Sequence, residues 1–347
     1  MVTTDAAPGA LFRDSGEPRP VASARTDVVT AALGLWFTLG LFLDAYAHAN
    51  VPELESFFTP WHAVFYSGFA AVAGWVLWTV WGHVRDGRRG LAAVPLGYGM
   101  ALVALPVFVV AGGADMVWHE LLGIETNTDI FFSPSHLGLI ASMIVVVTTP
   151  LRAAWADPVR PTPTPTAVLV LALATSLVLL FLTYGNALLL PPDAVVESFS
   201  VLGDGSANVV AGRILLTNAV LLAPLLLLAK RWRLPFGAAT AVFGAAALIS
   251  AVLEGFEQLA LPLAVLVAGV LADVLARVLR PAAHRRTAFW GFAAATAALT
   301  WAVYLGVASA VVGRLPAVVE LWTGMPIVAA LVAWLLAVIV LPTAVGD

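Results

Sequence analysis

Apolar runs of roughly 20 residues recur along this chain, and they limit its fold more than any other feature. Ten can be marked, at about 28–50, 60–82, 91–119, 134–156, 166–190, 208–229, 236–259, 262–280, 287–311 and 324–342, with Gly255 and Pro262 taken as the turn that splits the pair at 236–280. A helix rises about 1.5 Å per residue, so a run of this length matches the ~30 Å hydrocarbon core of a bilayer. Charged residues make up 11% of the sequence, against about 25% in a soluble domain, so lipid is the expected main solvent. The expected fold is an all-α integral membrane protein with about ten transmembrane helices, multi-pass in the cell membrane.

Basic residues set the orientation. With a cytoplasmic N-terminus, 15 of the 17 Lys and Arg fall on inner segments, and only Arg213 and Arg314 remain outside. The even helix count then returns the C-terminus to the cytoplasm. Trp81, Trp155, Trp232 and Trp290 fall near the inner boundary, and Trp61, Trp118 and Trp322 near the outer one, as an aromatic belt requires. Residues 1–27 are polar and read as a disordered cytoplasmic tail. The basic tail, the first apolar run and Ala45-Tyr-Ala47 also resemble a cleaved signal peptide, but cleavage there would remove Asp44 from the motif described next. The alternating Pro161, Pro163 and Pro165 mark a linker at 157–166. It divides a four-helix module (28–156, with repeats at about 28–83 and 91–156) from a six-helix module (167–347).

One pattern occurs twice. Asp44-x3-His48 is followed by Phe57-Phe58-Thr59-Pro60-Trp61-His62, and Asp115-x3-His119 by Phe131-Phe132-Ser133-Pro134-Ser135-His136. The two Asp-His pairs are 71 residues apart, whereas His62 and His136 are 74 apart, so the copies differ by three residues of loop. They hold four of the six histidines; His83 and His284 sit in arginine-containing inner loops and read as solvated residues. Residues i and i+4 share a helix face, so each Asp and its first His point the same way at the outer end of an odd-numbered helix. Thr59 and Ser133 read as N-caps and Pro60 and Pro134 as first-turn prolines, which puts His62 and His136 at the third helical position. Each duplicated hairpin therefore aims one carboxylate and two imidazoles at one point.

The chain has no cysteine, which excludes disulfides, thiolate metal sites and Cys nucleophiles. A helix N-terminus disfavours imidazolium and keeps His62 and His136 neutral, the form that binds metal. A His2Asp set with an open position suits copper, zinc, iron or nickel, in two mononuclear sites or one dinuclear site. Glu120, Glu125 and Asp129 in the second outer loop, and Arg213, Glu254 and Glu257 in the second module, are candidates for a supporting shell or an ion path. A structural Glu–Arg pair is the alternative for the last three. Tyr184 and Asn186 are weaker candidates of the same sort.

D-x3-H followed by [ST]-P-x-H across a helix hairpin resembles the copper-binding motif in the C subunit of particulate methane and ammonia monooxygenases. Asp115-Met-Val-Trp-His119 and Phe132-Ser-Pro-Ser-His136 are the nearer local match. The resemblance covers roughly residues 28–156. It implies one copper set of Asp115, His119 and His136, another of Asp44, His48 and His62, and partner membrane subunits. In this chain Asp occurs in both sets, where the family has one Asn, and the second module has no counterpart there.

Three functions compete at this stage. The first is a copper-dependent, monooxygenase-like membrane oxidoreductase, or its metal-bearing subunit, acting on a small apolar substrate. Phe57, Phe58, Phe131, Phe132, Trp61 and Trp118 would form its apolar wall. The second is a metal-ion permease with an ionic substrate, which predicts polar groups continuing inward. The third is a haem-binding electron-transfer protein, for which the two aspartates have no purpose. The expected partners are the bilayer and further subunits, and not nucleic acid.

Overall fold

The computed structural model describes residues 14–51, 58–123, 130, 132–157, 161–203 and 205–342, and among these the chain is helical and forms no strand. Its α-helices in order are α1 (Ala24–Asn50), α2 (Pro60–Arg85), α3 (Gly99–Leu122), α4 (Pro134–Val147), α5 (Thr149–Trp155), α6 (Pro165–Phe181), α7 (Pro192–Ser198), α8 (Ser206–Arg231), α9 (Ala238–Leu253), α10 (Ala260–Leu279), α11 (Arg286–Val312) and α12 (Val319–Val340). Seven of them (α1, α2, α3, α8, α10, α11 and α12) are long and apolar enough to cross a membrane. The pair α4–α5, bent by 44°, makes an eighth if taken as one span. These lengths and compositions make the chain a multi-pass membrane protein.

The runs expected at 166–190 and 236–259 are shorter helices. α6 has 17 residues and α9 has 16, about 24–26 Å of helix. Past α6 the backbone turns through two 3-10 segments, Thr183–Gly185 and Ala187–Leu189. Asn186 fixes that break, donating to Ser250 Oγ (2.9 Å) and accepting from Leu188 N (2.9 Å). α9 stops at Leu253 because Gly255 and then Phe256 take positive φ (58° and 64°), which no α-helix accommodates. Glu254 and Glu257, expected on a helix face, therefore sit in a turn.

Part of the expected disordered tail is held in place. Arg19 donates to Val94 O and Pro95 O (both 2.9 Å), Leu96 N donates to Pro20 O (2.9 Å), and Arg88 pairs with Glu17 (3.4 Å). The polar composition that suggests disorder is here a set of partners for the α2–α3 connection. Residues 24–27 belong to α1, capped by Ser23; residues 1–13, with Arg13, lie outside the described residues, as do Phe57, Glu125, Asp129, Phe131 and Arg160.

α1 with α2, and α3 with α4, form two tight hairpins. A Cβ on Gly68 would lie 2.6 Å from Phe37 Cα, and one on Gly40 would lie 2.9 Å from Phe65 Cα, so glycine lets the backbones of α1 and α2 touch. The second pair meets where a Cβ on Gly138 would lie 2.9 Å from Ala111 Cβ. Buried side chains gather in two clusters, one mainly in α1–α5 with residues of α8 and α9 such as Leu228 and Ile249, and one mainly in α7–α12. α6 crosses the seam: Leu171, Leu173 and Leu177 pack into the first, Ala172 and Leu179 into the second. The Pro-rich segment thus separates the modules in sequence, while the helix that follows it joins them in space.

Candidate metal centre

The two hairpins carry the repeated motif in matching positions. Asp44 and His48 close α1, and Asp115 and His119 close α3. Thr59 and Ser133 are the N-caps of α2 and α4; their hydroxyls accept from the backbone N–H of His62 (3.1 Å) and His136 (3.4 Å), with Pro60 and Pro134 in the first turn. Capping and the proline-fixed start leave the third residue of each helix facing the end of its hairpin partner.

In the first set Asp44 Oδ2 lies 3.8 Å from His48 Nε2 and 3.5 Å from His62 Nε2. In the second, Asp115 lies 3.5 Å from His119 Nε2 and 3.3 Å from His136 Nε2. Each set offers three ligand atoms within 4.8 Å of one another. Burial is deep, with the side chains of Asp115 and His119 3% and 2% exposed. Charged hydrogen bonds between such groups run at about 2.7–2.9 Å, shorter than these separations. Ligands bound tetrahedrally to a metal at about 2.0–2.2 Å stand about 3.3–3.6 Å apart; three of the four Asp–His separations fall in that range, and the 3.8 Å between Asp44 and His48 lies beyond it. Asp44 Oδ1 is buried and has no hydrogen-bond partner among the described residues, an arrangement that is costly unless something else binds it.

The ring orientation is set by the other nitrogen. His136 Nδ1 lies 2.5 Å from Ser133 Oγ, leaving Nε2 toward Asp115. Metal-binding imidazoles are commonly steered this way.

Both sets open on one cavity of about 590 Å3. Asp44, His48, His62, Asp115 and His136 line it, together with Leu41, Phe65, Tyr66, Leu139, Ile140 and Met143 of the first module. Leu180, Phe181, Thr183, Leu189, Leu253, Glu254 and Glu257 close the other side. The irregular backbone after α6 and α9 thus borders the cavity, the setting in which a membrane protein tolerates it. On the side away from the helix ends, Phe65 joins an aromatic cluster of α1, α2 and α3. Phe37 stacks on Phe65 at 5.2 Å, Phe69 on Phe108 at 4.1 Å, and Phe37 meets Phe108 edge-on at 5.2 Å.

The remaining expected residues fall as follows. Glu254 and Glu257 join the cavity. Partial burial and then the like charge of Glu257 hold the Glu254 carboxyl above its ordinary range. No ion pair links either to Arg213 among the described residues; Arg213 lies on α8 and does not line the cavity. Glu120 is exposed and points away, since it follows His119 by one residue and so leaves the helix on another face. Phe58 and Phe132 are largely exposed, and neither Trp61 nor Trp118 lines the cavity; its apolar wall comes from deeper residues and from the second module. Tyr184 stacks on Phe132 (5.5 Å), and Asn186 is used up within the fold.

Tyr66 and the aromatic layer have a weak sequence signal, the Phe65-Tyr66-x2-Phe69 cluster one turn beyond His62. Asp273 has none. It is buried in α10 and accepts from Ala239 N, Thr240 N (both 3.0 Å) and Thr240 Oγ1 (2.6 Å), capping α9 from a neighbouring helix. No known family, curated protein or solved structure matches the chain, so its two buried Asp-His-His sets stand on their own geometry.

Proposed function

We propose that the protein is a membrane metalloprotein whose two Asp-His-His sets each hold one ion, copper foremost with zinc and iron as alternatives, and that it acts as a monooxygenase-like oxidoreductase or its metal-bearing subunit. The observation that carries this reading is the pair of buried sets, each of which brings one carboxylate and two imidazoles within 4.8 Å of one another. Copper bound by two imidazoles and a carboxylate with an open position supplies redox and oxygen chemistry. The chain's own residues do the rest. Asp44 and Asp115 provide charge, the N-cap Ser133 orients the His136 imidazole, and Leu41, Leu139, Ile140 and Met143 form a surface for a small apolar substrate beside both sets. The bilayer placement belongs to the same reading: ten passes, with α6 and α9 counted as buried spans, both termini cytoplasmic, and the sets at the outer face of the cell membrane.

A metal-handling permease is the second reading, favoured by Glu254 and Glu257 on the cavity wall. The Phe37–Phe65–Phe69–Phe108 layer speaks against it, because an ion moving inward past those rings would meet no ligand. Haem gives the two aspartates no role.

The deciding experiment is elemental analysis with EPR on protein in lipid nanodiscs, comparing wild type with His48→Ala and His119→Ala. Wild type is expected to hold two copper equivalents and each variant to lose one. The same substoichiometric metal in all three would sink the proposal. Soret absorbance would favour haem, and ion uptake into proteoliposomes that depends on Glu254 would favour the permease.

A further inference from the structure

Among the described residues four carboxylates line the cavity, Asp44, Asp115, Glu254 and Glu257, and no Lys or Arg does. Two divalent ions would balance four negative charges. The two aspartates belong to the ligand sets, which leaves the glutamates to be explained.

Their position is specific. The turn that carries them packs on the end of α1, where Asn50 Nδ2 donates to Leu253 O (3.3 Å) and a Cβ on Gly255 would lie 2.7 Å from Asn50 Oδ1. Asn50 is two residues beyond His48. The carboxylates grade in burial: Glu257 is exposed, Glu254 half-buried and Asp44 buried. The Asp44 side chain is nine-tenths buried, and its Oδ1 lacks a hydrogen-bond partner among the described residues. The C-terminal ends of α1 and α9 meet here, and both carry partial negative charge. The rest of the wall is mainly aliphatic and aromatic, and Phe65 joins it to the aromatic cluster of Phe37, Phe69 and Phe108.

We propose that Glu257 and then Glu254 form the loading route by which a hydrated divalent metal ion reaches Asp44 and His48. The inference rests on the metal-centre reading. An exposed carboxylate draws the hydrated ion in, a half-buried one holds it as water is shed, and the neutral imidazoles with the buried carboxylate complete its shell. Converging negative groups on low-dielectric walls raise the capture rate of a cation by 10- to 1,000-fold, and the effect weakens as salt rises.

The test uses the full chain, stripped of metal, in phosphatidylcholine nanodiscs that carry no net lipid charge. Cu(II) alone is mixed in by stopped flow, with tryptophan quenching reporting arrival and elemental analysis reporting final occupancy. Glu254→Gln/Glu257→Gln is expected to slow loading about tenfold or more at low salt and to flatten its salt dependence, while still reaching wild-type occupancy. Glu257→Gln, at an exposed position that does not threaten folding, should give part of the same slowing. Unchanged rates in both variants overturn the route. So does a lowered final occupancy in the double variant, because the glutamates would then be ligands. Wild-type protein that takes up no Cu(II) removes the metal centre itself and the route with it, a result distinct from either of these.

Discussion

At the scale of single residues, Ser133 carries two tasks in one hydroxyl. It caps α4 and it holds His136 Nδ1. Ser133→Ala should therefore cost about 1 kcal/mol of stability from the lost cap. It should also weaken metal binding at the Asp115 set by about 10- to 100-fold, as losing an imidazole's orienting partner commonly does. Competition titration against a chelator would read both sets, and an unchanged second-set affinity would show that Ser133 only caps. This residue was legible in the sequence because capping is local: Ser-Pro-x-His specifies hydroxyl, helix start and ligand within four positions. Asp273 was not, since its partners are backbone N–H groups of another helix, which leave no mark on the sequence. Glu120 misled for a related reason, because proximity in sequence to His119 says nothing about which face a side chain leaves from.

At the scale of elements, the long helices followed directly from their apolar runs, and the hairpins from the matching motifs at their ends. The spacing between the members of a hairpin did not. It depends on Gly40 and Gly68 meeting the backbone across α1 and α2, and the same residue type at Gly74 has nothing within 4 Å of its would-be Cβ. Gly68→Val should push α2 away from Phe37, pull His62 from Asp44, and reduce bound copper from two equivalents to one by loss of the first set. Gly74→Ala should leave both equivalents in place and gain up to about 1 kcal/mol of helix propensity. Equal metal content in the two variants would mean that the close approach does not position the site. The short α6 and α9 were also hidden, because a continuous apolar run does not reveal where a buried helix yields to a turn. Gly185-Asn186 and Gly255-Phe256 mark those breaks through contacts and left-handed backbone that composition averages away.

At the scale of the whole molecule, the cavity is a joint product. Its ligands come from one module, and much of its wall, with both glutamates, comes from the other. A reading by sequence modules assigns the site to residues before the Pro-rich linker and gives the second module no task, because contacts between residues 50 and 253 follow only from the packed fold. The aromatic layer beneath the cavity has an electrical consequence. On the proposed reading an ion reaches the sets without passing the phenyl rings, and so without crossing the full membrane potential. Moving one charge through that full potential is worth about 2.3 kcal/mol per 100 mV. An ion that stops above the layer crosses little of it. Loading of Cu(II) into proteoliposomes should then proceed at the same rate with the potential clamped at either sign by potassium and valinomycin, whereas an ion that passed the rings would be slowed or sped severalfold. On that reading the cluster of Phe37, Phe65, Phe69 and Phe108 would act as an insulator, and the two sets would stand at nearly the potential of the side from which they load.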